Sequence, residues 1–408
     1  MADTLQPRDQ DDLLEAMTWA ADKGSPLEIV GSGSKRSLGR TMQCSATLDL
    51  RAFAGIEEYE AAELVLTAGA ATPLAEIEIA LAEAGQMLAF EPMDTGALLG
   101  VEMSGTLGGL LACNLSGPRR IRAGAARDHF LGFSAVSGRA ERFKAGGKVV
   151  KNVTGYDLCK LLAGSHGTLA ALCEVSLKVL PRPEKTRTVL VFGLSEERAV
   201  EAMGAALSSS NEPSGAAFLP AKLAAHSGVD YVSGAGSSVT AMRVEGVDVS
   251  VDARCQALRE LLGAFGETEE LHSSRSLKFW REIRDVVPFA GDDRVVWRIS
   301  VPPAAGGALA RKLIDAQPCE LFMDWGGGLL WVAMSTGGDG DDGGGAALHK
   351  AAAAAGGHAS CVRASAALRG HIDVFQPMSP ALDGLTRRLK DGFDPAGILN
   401  PGRMYAGI

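Results

Sequence analysis

The 408-residue sequence has few of the features that mark metal, disulfide-stabilised or membrane proteins. Its seven cysteines are scattered without a CxxC pair, and its seven histidines are not spaced as metal ligands. We therefore predict no metal site and reduced cytoplasmic thiols. No apolar run approaches the roughly 20 residues that cross a bilayer, and the acidic N-terminus lacks a signal-peptide core. We expect a cytoplasmic protein without direct membrane insertion.

Charge and motif content exclude several function classes. Forty basic and forty-nine acidic side chains give a net charge of -9, which argues against nucleic acid as a partner. The Gly146–Lys148 stretch is not a P-loop, because the spaced upstream glycine is missing and Val149 follows the lysine. The chain also lacks GxSxG and HExxH motifs. Nucleoside triphosphate hydrolysis, serine hydrolysis and zinc proteolysis therefore have no support.

The chain is too long for one ordinary core and predicts two domains. Near the start, Asp11–Lys23 has the pattern of an amphipathic helix, and Pro26–Val30 that of a strand. From residue 185 to about 375, strand-like and helix-like segments alternate, which predicts an α+β domain with an antiparallel sheet and helices on one face. We place domains at 1–183 and 184–378, followed by a C-terminal segment, 379–408.

Two glycine-rich loops could hold an anion. Gly31–Arg36 resembles the start of a GxGxxG fingerprint, but an arginine occupies the position of the third glycine. A plain turn explains this loop as well as an anion site does, although Lys35 favours the anion. In Ser104–Gly109, bare backbone N–H groups before a helix could approach a phosphate. Close helix packing explains that second loop equally well.

The stretch from 119 to 151 has a local excess of seven positive charges. Only Asp128 and Glu141 oppose its basic residues, which are Arg119, Arg120, Arg122, Arg127, Arg139, Arg142, Lys144, Lys148 and Lys151. In a chain of net negative charge, this excess indicates an anionic ligand or partner nearby. A solvated basic surface is the alternative.

Polar loops flank the short apolar segment 158–163. Upstream lie Asn152, Thr154, Tyr156 and Asp157 around a glycine, and downstream lies the turn Gly164–Thr168. This arrangement suits a long ligand with polar groups along its length. His166 has neither a cysteine nor a carboxylate beside it in the sequence, so we assign it no catalytic role.

Five segments together carry a family resemblance. They are GSGSKRSLGR, LDLRAFAGIEEYEAAELVLTAGAATPLAEIEIAL, GTLGGLLACNLSGPRR, KNVTGYDLCKLLAGSHGTLAALCEVSLKVLP and FDPAGILNPGRMY. In this order they resemble the FAD-binding domain of vanillyl-alcohol oxidase and p-cresol methylhydroxylase type flavoproteins. LKFWREIRD, VVWRISVPP and DWGGGLLWV extend the likeness to the FAD-binding subunits of glycolate oxidases (glycolate dehydrogenases).

The resemblance implies an α+β fold, with a two-subdomain FAD-binding domain of the vanillyl-alcohol oxidase type and an α+β cap domain. It implies non-covalent FAD, because the first loop has no histidine or cysteine. The cofactor contacts that it implies are Gly31, Gly33, Ser34, Lys35, Gly105, Thr106, Gly108, Gly109, Asn152, Gly155, Tyr156, Asp157, Gly164, Ser165, Gly167, Thr168 and Asn400. Arg281, Arg298 and Trp325 in the cap are candidates for substrate binding, since a guanidinium can clamp a carboxylate.

The function that the resemblance implies is FAD-dependent oxidation of the CH–OH group of a 2-hydroxy acid, with glycolate converted to glyoxylate. Electrons would pass through flavin to partners, namely a homologous FAD-containing catalytic subunit and an iron–sulfur subunit, through which the chain could also associate with a membrane. The sequence identifies no catalytic base. A stand-alone dehydrogenase of D-lactate or another D-2-hydroxy acid, and a structural FAD-binding scaffold, stay open as alternatives.

Overall fold

The protein is described by a computed structural model that covers residues 3–148, 155–336 and 341–408. The strands are β1 (Asp3–Leu5), β2 (Leu27–Val30), β3 (Ala46–Asp49), β4 (Ile56–Glu60), β5 (Val65–Gly69), β6 (Gln86–Met87), β7 (Phe130–Ser137), β8 (Arg142–Gly146), β9 (Ala170–Lys178), β10 (Leu180–Pro181), β11 (Lys185–Phe192), β12 (Gly215–Leu219), β13 (Val239–Gly246), β14 (Thr268–His272), β15 (Val295–Ser300), β16 (Glu320–Asp324), β17 (Leu329–Met334) and β18 (His358–Arg363). The helices are α1 (Gln10–Lys23), α2 (Leu74–Glu83), α3 (Gly96–Leu99), α4 (Leu107–Cys113), α5 (Arg120–Ala123), α6 (Ala126–His129), α7 (Leu158–Leu162), α8 (Glu196–Leu207), α9 (Ala221–Ala224), α10 (Asp230–Ser233), α11 (Asp248–Leu262), α12 (Ser273–Arg284), α13 (Gly306–Ala316), α14 (Gly345–Ala354), α15 (Ala366–His371) and α16 (Pro380–Phe393).

The chain divides into two compact units. The first unit comprises Met1–Leu115, Gly124–Pro181 and Asp373–Ile408, and the second comprises Ser116–Ala123 and Arg182–Ile372. The sequence had assigned all of 1–183 to one domain and placed the second boundary after 378. The units instead change at 181/182 and 372/373, and the short segment 116–123 belongs to the second unit.

The first unit contains two main sheets. A parallel sheet has the order β1-β3-β2, and an antiparallel sheet has the order β4-β5-β9-β7-β8. Helix α1 begins where the Asp9 carboxylate accepts hydrogen bonds from two backbone N–H groups and ends at Gly24, which has a φ of 57°. Its buried Leu13 and Met17 pack with Leu27, Leu48 and other residues of the core. The apolar spacing of α1 therefore fixes one face of the helix in the core of this unit.

A buried ion pair holds the C-terminal segment in the first unit. The Lys390 ammonium group donates to the Asp394 carboxylate at 2.5 Å, to Thr168 O at 2.8 Å and to Leu399 O at 3.0 Å. The same carboxylate accepts from the backbone N–H groups of Ile398 and Leu399 at 3.0 and 2.8 Å. Lys390 is 5% exposed and Asp394 1%. The pair therefore joins the end of α16 to two neighbouring segments.

The second unit repeats one topology twice in an eight-stranded antiparallel sheet. The first repeat is β11-α8-β12-β13-α11-β14 and the second is β15-α13-β16-β17-α14-β18. In the sheet, the strand order is β14-β11-β13-β12-β16-β17-β15-β18, so the two β-α-β-β-α-β repeats meet at β12 and β16. This architecture confirms the expected α+β fold with an antiparallel sheet.

We predict that Lys390→Met lowers the free energy of unfolding of the first unit by about 3–5 kcal/mol, because it leaves the Asp394 carboxylate buried without its cation. Urea denaturation of the purified chain measures this change. Arg387→Met, which removes an exposed pair with Asp383 on the same helix, is the control and should leave the transition in place. Equal midpoints for Lys390→Met and the unmodified chain would contradict the prediction.

Candidate cofactor-binding site

A cleft that is partly open to solvent lies in the first unit where β2 ends. It is lined by Ile29, Val30, Gly31, Ser32, Gly33, Ser34, Lys35, Arg36, Leu50, Ala70, Ala71, Thr106, Gly108, Gly109, Ala112, Cys113, His166, Gly167, Ala170, Leu172, Asn400 and Arg403. Among these described lining residues, three are lysine or arginine and none is acidic. Small and apolar side chains form much of the remaining wall. The cleft thus combines a positive charge with an apolar surface.

The first glycine loop begins directly after β2. Gly33 has a φ of 80°, a conformation that favours glycine. A Cβ at Gly31 would lie 2.7 Å from Thr106 Oγ1, so the absence of a side chain lets the two loops meet. Ser34 and Lys35 are only 5% and 8% exposed. The loop is therefore built into the wall of the cleft.

The second glycine loop shows the close packing that the sequence left open as one explanation of its glycines. Thr106 caps α4 by accepting from Gly109 N at 3.4 Å. Gly108 N donates to Ala70 O at 2.6 Å, and a Cβ at this position would lie 2.9 Å from the same oxygen. Close backbone packing therefore requires Gly108, while the same residue also lines the cleft.

The C-terminal segment closes the cleft from a distant part of the chain. Asn400 accepts from Ile29 N at 2.8 Å and donates to His166 O at 2.8 Å. Arg403 donates to Lys35 O at 2.6 Å. These bonds connect the end of the chain to β2, to the first glycine loop and to the turn at 164–168, so three distant segments form one wall.

Two buried cations favour an anionic ligand in the cleft. Burial lowers the pKa of the Lys35 ammonium group and of the Arg403 guanidinium. Among the described residues, none forms a hydrogen bond or ion pair with the Lys35 ammonium group. A buried cation without a counter-charge is costly, and a phosphate would supply that charge. The residues present fit the diphosphate of a dinucleotide, with an apolar surface beside it.

His166 lines the cleft as a neutral side chain. Burial, reinforced by the charge of Arg403, lowers its pKa to about 3. Its Nδ1 lies 3.7 Å from Cys113 Sγ, its ring lies 5.0 Å from that of Phe375, and its backbone N–H donates to Ala112 O at 2.8 Å. A group with so low a pKa is a weak proton acceptor near neutral pH.

Comparison with known proteins identifies the family. Residues 2–146 match the family model described as an FAD binding domain. Over 396 residues the chain is 39% identical to glycolate oxidase subunit GlcE of Escherichia coli (strain K12), covering 97% of each chain. The chain belongs to the GlcE family. The expected cofactor of this chain, FAD, is thereby confirmed. The chain is an FAD-dependent oxidoreductase.

Two further comparisons extend this result. Glycolate oxidase subunit GlcD of Bacillus subtilis (strain 168) is 29% identical over 188 residues, which are 46% of this chain and 39% of that protein. The structure of p-cresol methylhydroxylase with substrate bound aligns with a TM-score of 0.71 at 12% identity, covering 99% of this chain and 88% of that one. This likeness confirms the expected fold.

The structure places some of the predicted cofactor contacts of this GlcE-family chain in the wall of the cleft and others outside it. Those that line the cleft are Gly31, Gly33, Ser34, Lys35, Thr106, Gly108, Gly109, Gly167 and Asn400. Gly105 lies behind this wall, where a Cβ would be 2.7 Å from Lys35 Nζ. Ser165 and Thr168 are buried, and the Thr168 hydroxyl donates a hydrogen bond to Ser165 O at 2.8 Å. Gly164 N donates to Leu111 O. These residues shape the loops behind the cleft.

The polar group before α7 lies apart from the lining residues. Gly155 and Asp157 are exposed, and Tyr156 is 92% exposed. Asp157 caps α7 and pairs with Lys160 at 2.5 Å, which gives it a local structural role. Asn152 falls outside the residues that the structure describes. The roles of these four residues in FAD binding stay predictions.

Sequence reasoning missed Arg403 and Cys113 in the cleft. Arg403 follows Pro401 and Gly402 in the terminal motif, and a basic residue in that position was the available signal. The local basic excess was a weaker guide, because folding brings distant acids to four of its nine basic residues. Arg119 pairs with Glu245, Arg122 with Glu212, Arg142 with Asp11 and Lys148 with Glu58. This stretch therefore does not form one anion site.

The three substrate-binding candidates lie in the second unit. Arg281 is exposed on α12, whereas Arg298 on β15 is partly buried. The Arg298 guanidinium carbon lies 5.0 Å from the centroid of the Trp325 ring. The structure thus brings Arg298 and Trp325 together.

Within 3–148, 155–336 and 341–408, no group of three histidine, cysteine, aspartate or glutamate side chains could hold a metal ion. In the same ranges, no helix has the length and apolar character needed to cross a membrane.

We predict that Lys35→Met weakens FAD binding about 10- to 100-fold, because it removes a buried charge from the cleft. Fluorescence titration of flavin into the apoprotein measures the dissociation constant. Lys23→Met, at an exposed lysine on α1 of the same unit, is the control. Unchanged affinity in Lys35→Met would contradict the assignment of the cleft.

The pH dependence provides a second measurement on the same residue. FAD binding favours the charged lysine, so affinity should be highest below the lowered pKa of Lys35 and fall as pH rises through it. Lys35→Arg keeps its charge to higher pH, and its affinity should not fall over that interval. A parallel decline in both proteins would assign the pH effect to another group.

Proposed function

We propose that this chain is the FAD-binding subunit of a complex that oxidises glycolate, or a closely related D-2-hydroxy acid, to the 2-oxo acid. In this reaction the CH–OH group loses two electrons and two protons, one from carbon and one from the hydroxyl oxygen. The electrons pass through flavin to a partner. The observation that carries the proposal is the 39% identity to a glycolate oxidase subunit across 97% of both chains. The cleft for a dinucleotide supports the cofactor role.

Partner subunits are part of this proposal. The similarity to GlcD over 188 residues supports a second, homologous FAD-containing subunit that carries catalysis. An iron–sulfur subunit would take the electrons onward. The neutral His166 supports the assignment of catalysis to the partner subunit, since a side chain with a pKa of about 3 accepts a substrate proton poorly. The cytoplasmic location, with membrane association only through partners, belongs to the same proposal, as do Arg281, Arg298 and Trp325 as candidates for substrate binding.

We predict that Gly108→Trp abolishes FAD binding by this chain and stops glycolate oxidation by the assembled complex. The side chain would collide with Ala70 O, which lies 2.9 Å from the Cβ position. Co-expression with both partner subunits, followed by dye reduction with glycolate, measures the activity. Gly204→Trp on the exposed side of α8, where a Cβ meets nothing within 4 Å, is the matched control.

Two outcomes would change the proposal. Oxidation of D-lactate by the chain alone, with an artificial electron acceptor, would identify a stand-alone dehydrogenase. Full activity of an assembled Gly108→Trp complex would place this FAD outside the electron path and leave a scaffold role. If Gly108→Trp prevents assembly, Lys35→Met replaces it, because that change lowers FAD occupancy without adding bulk.

A further inference from the structure

The second unit holds two arginines against one tryptophan ring. The guanidinium carbons of Arg120 and Arg298 lie 4.3 and 5.0 Å from the ring centroid of Trp325. Trp325 is 6% exposed, and its Nε1 donates to Gly117 O at 3.1 Å. Both arginines are within the range of a cation–π contact. The indole therefore gathers two positive charges at one place.

The backbone fixes each member of this cluster. Successive side chains of a strand point to opposite faces. Trp297 packs on His349 of α14 with ring centroids 5.3 Å apart, so Arg298 projects from the other face of the sheet. Trp325 has a φ of 55°, and its backbone N–H donates to the Asp324 carboxylate at 2.7 Å. A bulky residue in this conformation is held there against a steric cost.

The neighbour of Arg120 anchors the segment that carries it. Arg119 makes two hydrogen bonds, of 2.9 and 2.8 Å, to the carboxylate of Glu245 on β13. Both side chains are nearly buried, at 11% and 8% exposure. Such a two-point ion pair has a defined geometry. It explains why 116–123 belongs to the second unit, and it positions Arg120.

The cluster has more positive than negative charge. Burial, and then the charge of Arg120, lower the pKa of Arg298 to about 10, against the opposing effect of Asp324. Among the described residues, none forms an ion pair or hydrogen bond with the Arg298 guanidinium. His358 adds no negative charge, and burial together with both arginines lowers its pKa. A partly buried cation without an ion pair favours an anion that compensates its lost contacts with water.

We propose that Arg120, Arg298 and Trp325 form a binding site for the carboxylate of a small 2-hydroxy acid. This inference rests on the proposed function only for the identity of the acid that binds. A carboxylate offers two oxygens to guanidinium groups, which donate in a planar fork. The indole forms an apolar wall beside both guanidinium groups. Arg281, exposed on α12, is not part of this cluster.

The test compares glycolate binding by the FAD-loaded full chain and by Arg298→Gln. Isothermal titration calorimetry measures the dissociation constant, with ethylene glycol as the neutral analogue and inorganic phosphate as a second anion. We expect glycolate to bind, ethylene glycol not to bind, and Arg298→Gln to weaken glycolate binding about tenfold or more. Arg275→Gln is the matched control, because it removes an exposed arginine from the ring of Tyr231 in the same unit.

A second readout guards against a general folding defect. Glycolate should raise the melting temperature of the unmodified chain and of Arg275→Gln but not of Arg298→Gln. The ligand-free melting temperature of Arg298→Gln should not fall, because the substitution removes a buried cation that lacks an ion pair. Arg298→Lys, which retains charge but not the fork, should bind glycolate with intermediate affinity.

Several results would overturn the site. They are absence of glycolate binding, equal affinity in Arg298→Gln, equally tight binding of ethylene glycol, or phosphate binding as tight as glycolate. Failure of the proposed function is a different result. In that case the assembled complex would not oxidise glycolate, although the chain still bound it through Arg298.

Discussion

The buried ion pair between Lys390 and Asp394 determines the geometry on which the FAD cleft depends. Asp394 holds the backbone of Ile398 and Leu399, and this fixes the register of Asn400 beside β2. Lys390 reaches Thr168 O and so holds the turn that contains His166. Neither side chain lines the cleft. Their burial means that either one alone would be costly, so the whole arrangement forms or fails together.

The two units each hold a cation that an anionic ligand would stabilise. In the first unit, Lys35 and Arg403 are buried beside the two glycine loops that line the cleft. In the second, Arg298 lies against an indole with Arg120 as its neighbour. In each arrangement one cation, Lys35 or Arg298, lacks an ion pair among the described residues. Desolvation of such a cation lowers the stability of the ligand-free fold. A ligand of opposite charge compensates this cost when it binds.

The local sequence pattern was sufficient to predict structure where neighbours in sequence are also neighbours in space. The periodicity of Asp11–Lys23 predicted α1 within one residue at its start, and the glycine loop at 31–36 does line the cleft. The basic excess after Arg119 misled because its counter-charges, such as Asp11 and Glu245, lie far away in the sequence. The doubled topology of the second unit was also missed, since strand and helix alternation does not specify the order of strands in a sheet.

The chemistry of the cleft separates holding a flavin from accepting a proton. A general base is effective when its pKa lies near the working pH, and the burial that positions His166 moves its pKa to about 3. Lys35 and Arg403 favour their charged forms once an anion is present, so they offer donors and no vacant lone pair. The lining residues His166, Lys35 and Arg403 are therefore better suited to holding an anion than to accepting a proton near neutral pH.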